Sequence, residues 1–145
     1  MELISKTFNE LTTRELYEIL KSRDEIFAVE QHLNYVDEDN TDLESLHCFM
    51  MEEGRVIAYL RAYYDPSREN AVKIGRVLTL KHGMGHGKEL VLKSIEAIKK
   101  KMPCHKITMD AQKHAEEFYH KLGFITTSDE YLEEGIVHVD MEMEL

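Results

Sequence analysis

Apolar positions switch between two periods along this chain, and the switches divide it into elements. Leu16, Ile19, Leu20, Ile26 and Phe27 recur at helical spacing behind Thr12-Thr13-Arg14-Glu15, a capping-box sequence, which predicts a first helix over about residues 12–29. Leu46 to Glu52 and Val56 to Tyr64 flank Glu53-Gly54 and read as an antiparallel hairpin, followed by a turn at Asp65-Pro66-Ser67 and a strand from Ala71 to Leu80. Leu90, Val91, Leu92, Ile95, Ile98 and Met102 mark a helix that stops at Pro103. A short strand is predicted over Ile107 to Asp110 and a short helix over 113–122, closed by Gly123. The tail from Ile136 to Leu145 alternates apolar and polar residues as a half-buried strand does. The order β-α-loop-β-β-β-α-β-α-β-β predicts an α/β domain with a mixed sheet, an antiparallel first half and one crossover.

With 145 residues, of which 43% are apolar, the chain suffices for one domain with its own core, spanning 1–145. A formal net charge of -10 argues against a nucleic-acid or anionic-membrane partner and favours a cationic one. Cys48 and Cys104 lack paired spacing, and the sequence shows neither a leader pattern nor a spanning apolar run. The expected setting is therefore cytoplasmic.

The candidate chemistry centres on His82-Gly83-Met84-Gly85-His86-Gly87-Lys88, between the strand ending at Leu80 and the amphipathic helix. Glycine at 83, 85 and 87 frees backbone N–H groups to converge on one anion, and the helix start adds its positive end. A nucleotide-hydrolysing loop would need glycine where His82 stands and a hydroxyl where Glu89 stands. A dinucleotide fingerprint would need a different glycine spacing. His82 and His86 have no third ligand nearby in sequence, so no metal site is expected. A pyrophosphate cradle is the reading that remains strongest, ahead of a flexible helix start.

The loop, the strand Ile74-Gly75-Arg76-Val77-Leu78-Thr79-Leu80 that feeds it, and Phe118-Tyr119 one βα unit later resemble the acyl-CoA site of the GNAT superfamily of N-acetyltransferases. His82 stands where that family usually has Arg or Gln, and the connection from Arg76 to the loop is shorter than the family's usual one. The resemblance extends over nearly the whole chain and sharpens toward the ElaA-like subgroup. It runs through Arg23, Phe27-Ala28-Val29-Glu30-Gln31, Tyr35-Val36-Asp37-Glu38-Asp39, His47, Gly75-Arg76-Val77, Ala111-Gln112, Gly123-Phe124 and Glu134-Gly135-Ile136-Val137-His138. It implies a single GNAT-type domain, a mixed central sheet with helices on both faces, and acetyl-CoA as co-substrate. It further implies that Val77, Leu78 and Thr79 present backbone groups to the pantetheine arm, that His82, Gly83, Gly85, His86, Gly87 and Lys88 hold the pyrophosphate, and that Tyr119 sits beside the sulfur.

Acyl transfer to an amine needs a neutral amine and a proton donor for the thiolate. Tyr119 fits the second role, although an aromatic there also packs a helix on a sheet. For the base, Glu30, Asp37, Asp39, His47 and His138 stay open, with Glu30 first. Arg23 and Arg76 either bind an acceptor carboxylate or pair with an acid such as Glu30 or Asp37. The carboxylates of residues 34–45 read as solvated surface or as an attractor for a cationic acceptor. The expected acceptor is an amine-bearing small molecule or peptide. A domain that binds acyl-CoA as a sensor without turnover is the alternative. Members of the superfamily are often homodimers, but the apolar tail reads equally as a core strand.

Overall fold

In the computed structural model, which describes every residue from Met1 to Leu145, strand β1 (Ile4–Thr7) precedes helix α1 (Thr13–Arg23). The capping box forms: Thr12 Oγ1 accepts from the Glu15 amide at 3.0 Å, and the Glu15 carboxylate accepts from the Thr12 amide at 2.8 Å. The helix continues toward the expected end, but Asp24–Glu30 wind as a wider π-helix. The widened turn buries both Ile26 and Phe27, although they are adjacent in sequence.

Strands β2 (Leu46–Glu52), β3 (Arg55–Tyr64) and β4 (Ala71–Thr79) form the expected antiparallel run. Helix α2 (His86–Lys101) then crosses over to β5 (Lys106–Gln112), which lies parallel to β4. Helix α3 (Glu116–Lys121), β6 (Ile125–Thr126), β7 (Tyr131–Glu133) and β8 (Ile136–Glu144) complete the chain. The sheet order is β1-β2-β3-β4-β5-β8-β6, with β7 also paired to β8. Helices cover both faces. Leu90, Val91, Ile95 and Ile98 of α2 and Tyr119 of α3 pack on one face with Leu60, Val72, Ile107 and Met141. Ile19, Ile26 and Phe27 pack on the other with Phe49, Tyr59 and Leu78.

Two irregularities in β4 position the site. Tyr59 pairs with Leu78 but Arg61 pairs with Gly75, so β4 carries one extra residue in a bulge, and Arg76 there has φ +53°. Pairing between β4 and β5 then ends at Lys73 and Thr108, while β5 continues against β8 as far as Gln112 and His138. The two central strands diverge from that point and leave a wedge between them.

Candidate active site

The wedge opens into a cleft of about 950 Å³. Its lining includes the β4 residues Gly75 to Thr79, the glycine loop, Phe118 and Tyr119 of α3, Glu30 and Gln31 of the π-helix, and the β7–β8 side through Glu133, Glu134 and His138. The site residues expected from sequence are therefore brought together around one opening.

Gly83 and Gly85 adopt φ +76° and +78°, which an L side chain resists, and Gly85 is the N-cap of α2. The first amide of the helix to find an intrahelical acceptor is that of Glu89, bonded to the Gly85 carbonyl at 3.2 Å. The amides of His86, Gly87 and Lys88 are left at the positive end of the helix. Gly87 serves a different purpose: a Cβ there would meet Phe118 Cζ at 3.3 Å, so glycine lets α2 lie close to α3. The short connection from Arg76 thus still ends in a formed loop and helix cap. His82 Nε2 lies 3.0 Å from Glu30 Oε1, which ties the loop to the π-helix at the exposed rim. His86 is buried, and its Nδ1 has no protein partner.

Val77, Leu78 and Thr79 form the β4 edge of the wedge. On one side Leu78 and Thr79 are held by β3, and on the side facing β5 none of the three has a strand partner. Leu78 is also a core residue under α1, and Val77 packs partly against the core on the other face.

Tyr119 is packed edge-on between Phe118 and Phe124, with ring centroids 5.1 and 5.9 Å away. Burial alone pushes its phenol above the ordinary tyrosine value, and no protein group bonds to the hydroxyl. The phenol is accordingly protonated at neutral pH and available as a donor in the cleft.

The acidic loop serves neither as solvated surface nor as an open attractor at Asp37 and Asp39. Arg23, fully buried, donates to Asp37 Oδ2 at 2.6 Å and to Asp42 Oδ1 at 2.7 Å. Arg61 donates to both oxygens of Asp39 at 2.7 and 2.8 Å. Arg76, in its left-handed conformation, donates to Asp37 Oδ1 at 2.8 Å. Hydrogen bonds from Arg61 pull Asp39 down to about 2. Burial opposes ionisation of Asp42, but Arg23 and Arg61 outweigh it and hold Asp42 low as well. Arg23 and Arg76 therefore pair with Asp37 and not with Glu30. His47 is buried beneath the same cluster, within 2.7 Å of the Tyr59 hydroxyl and 2.9 Å of the Asp42 carbonyl. Burial lowers its basicity. Among the candidate bases, Glu30 and His138 remain at the cleft without an arginine partner.

His138 is buried and stacked on Tyr131, with ring centroids 6.0 Å apart. Its Nδ1 lies 2.8 Å from the Ile136 carbonyl, and its Nε2 3.5 Å from Glu133 Oε2. Across the opening, Gln31 and Gln112 exchange side-chain amide bonds at 3.4 and 3.1 Å, and His114 Nε2 lies 2.6 Å from Gln112 Oε1. Gln31, Gln112 and Glu134 entered the sequence reading only as part of the resemblance, with no part in the chemistry, and Glu133 did not enter it. Three-residue β7 is too short to announce that its end faces a cleft.

A family model described as an acetyltransferase (GNAT) domain matches residues 11–145. Protein ElaA of Escherichia coli is 32% identical over 141 residues, covering 94% of this chain and 92% of the relative. A UPF0039 protein of Schizosaccharomyces pombe is 36% identical, covering all of this chain and 98% of the relative. The crystal structure of E. coli ElaA superposes with a TM-score of 0.90 at 31% identity, covering 99% of each chain. An acyl-CoA N-acyltransferase from Pseudomonas aeruginosa gives the same TM-score, identity and coverage. The wedge between β4 and β5, the glycine loop capping α2 and these matches over the whole chain lead to one statement: the chain belongs to the GNAT family of acetyltransferases, within its ElaA-like subgroup.

Proposed function

We propose that this enzyme transfers the acetyl group of acetyl-CoA directly to a primary amine, with Tyr119 donating the proton that the leaving thiolate requires. The observation that carries the reading is the pairing of an unbonded, buried phenol with an unpaired strand edge and a helix start, all on one cleft. The amides of His86, Gly87 and Lys88, with Gly83, Gly85 and His82 shaping the loop, suit a pyrophosphate. The backbone of Val77, Leu78 and Thr79 suits the amide groups of a pantetheine arm, which would extend the sheet as a strand does. The Tyr119 hydroxyl then has an acceptor in the thiolate as the carbon–sulfur bond breaks. Glu30, first among the bases by sequence, sits at the rim with His82. There it orients the loop and can take a proton at the entrance.

Calorimetric titration with acetyl-CoA, with ATP and NAD as controls, tests the donor site. Saturable binding of acetyl-CoA alone is expected. Absence of binding by the folded protein would sink the proposal, and binding without thiol release from any amine would leave a sensor module instead.

A further inference from the structure

The cleft has a second wall that the donor-side residues leave unused. It lies on the sheet face opposite α2, where Asp110 and Gln112 of β5 pair with Asp140 and His138 of β8. Most charged groups lining the cleft are already neutralised: Arg61 by Asp39, Arg76 by Asp37, Lys73 by Asp110 at 2.9 Å, Lys81 by Glu52 and His82 by Glu30. Lys88 stands apart on the first turn of α2, at the end suited to phosphate. Three lining carboxylates have no lysine or arginine partner: Glu30, which faces His82, and Glu133 and Glu134 on this second wall. Glu134 and Gly135, with φ +51° and +74°, form the two-residue turn that holds the latter two carboxylates at the mouth.

His138 stands beside them. A carbonyl can only accept, so Nδ1 carries the hydrogen that bonds to the Ile136 oxygen. The neutral ring therefore keeps its lone pair on Nε2, which makes no hydrogen bond and has the Glu133 carboxylate 3.5 Å away. Thus a buried base with a fixed tautomer sits next to uncompensated negative charge.

We propose that this wall is the acceptor subsite, that it takes primary amines carrying a second cationic group, and that His138 deprotonates the attacking amine. The inference rests on the acyl-transfer reading above. The alkylammonium gives one proton to His138 Nε2, the neutral nitrogen forms the carbon–nitrogen bond, and the carbon–sulfur bond breaks. Tyr119 protonates the thiolate and regains a proton from the former amine nitrogen, while the proton on His138 leaves to solvent. The products are the N-acetyl amine and free CoA thiol. Glu133 and Glu134 hold the second cation. The charged and titratable groups around His138 are Glu133 and Tyr131 of β7, Glu134 of the turn, Asp140 on its own strand, Asp110 of β5 and His114 beyond it.

The test uses three amines of one chain length, putrescine, butylamine and γ-aminobutyrate, whose far ends are cationic, neutral and anionic. Thiol release from acetyl-CoA is followed for the unmodified enzyme, for His138→Gln and for the pair Glu133→Gln, Glu134→Gln, with acetyl-CoA affinity measured on each by calorimetry. The expected kcat/KM for putrescine exceeds that for butylamine by about tenfold or more, with γ-aminobutyrate last. The double glutamine variant brings the three together through KM. His138→Gln lowers kcat by about 100-fold, removes the acid limb of the pH–rate profile and keeps acetyl-CoA affinity. Equal rates on the three amines, or a His138→Gln enzyme within about twofold of the original, would overturn the subsite. So would acetyl-CoA binding with no thiol release from any of them, which leaves the donor site standing. Absence of acetyl-CoA binding removes the acyl-transfer reading and the subsite with it.

Discussion

Arg23 donates from all three of its nitrogens, to Asp37 and Asp42, at distances between 2.6 and 3.2 Å. On the other side of the cleft, the Tyr119 hydroxyl and His138 Nε2 make no hydrogen bond within the protein, although both side chains are buried. A buried charge or dipole without a partner costs free energy, so the two regions cannot have the same purpose. In the first, three arginines and three aspartates satisfy one another and fix residues 37–42 against the sheet, so their removal should be felt in stability. In the second, unmet hydrogen-bonding capacity faces space large enough for a ligand, so its removal should be felt in turnover.

The sharpest break of this contrast is Arg23→Met, which takes the one fully buried guanidinium from Asp37 and Asp42 and leaves them only Arg76 and Arg61. We expect a loss of about 3–5 kcal/mol in urea unfolding. A loss below about 1 kcal/mol would mean the cluster is more wet than buried. Next comes Tyr119→Phe, which should lower kcat by about 100-fold and leave both acetyl-CoA affinity and unfolding nearly unchanged. If unfolding moved and kcat did not, Tyr119 would belong with the structural region. A smaller effect is expected from Gly85→Ala, which forces a side chain into φ +78° and should cost about 1–2 kcal/mol, with weaker acetyl-CoA binding in calorimetry.

Acid should reach the arginine cluster selectively. Asp39 and Asp42 are depressed in the folded state, so their pairs contribute fully above the unfolded aspartate value of about 3.9. Because the unfolded chain binds protons first as pH falls, that contribution fades between about 4 and the folded value of about 2 for Asp39. Asp39→Asn should flatten this part of a stability–pH curve. The smallest effect belongs to Glu38→Gln, whose exposed carboxylate joins none of the arginine pairs. A change within about 0.5 kcal/mol in stability is expected, and no change in the salt dependence of turnover. A salt-sensitive loss of turnover would restore the acidic loop as an attractor.

Sequence periodicity carried most of the architecture because each long element repeats its signal several times. Thr12 and Glu15 announced α1, and the alternation from Val137 to Met143 announced β8. The π-helical turn at residues 24–30 was hidden because two adjacent apolar residues, Ile26 and Phe27, fit an α-helix nearly as well. β6 and β7, two and three residues long, are too brief to alternate. Nothing in an arginine predicts φ +53°, since Arg76 takes it in a bulge defined by pairing with β3, where Asp37 of another segment holds its guanidinium. The acidic loop was misjudged for the same reason. Its three arginine partners come from α1, β3 and β4, and a carboxylate's neighbours across the fold leave no local trace. The glycine loop was legible because its chemistry is local, being backbone conformation at consecutive residues. Its exact partner Glu30, by contrast, was known as a residue but not as a neighbour of His82.

The parting of β4 and β5 after Lys73 has a consequence for how the enzyme survives between turnovers. It leaves a seam inside the sheet, where half a strand's worth of peptide groups waits for a partner supplied by the ligand. Under the proposed reading, donor occupancy is then also a folding term: a ligand at about 100 times its Kd adds about 2.7 kcal/mol to a native state of this kind. A shortage of acyl donor would act on the amount of folded enzyme as well as on its rate, and slowed amide exchange at Val77 and Thr79 would report the seam being closed.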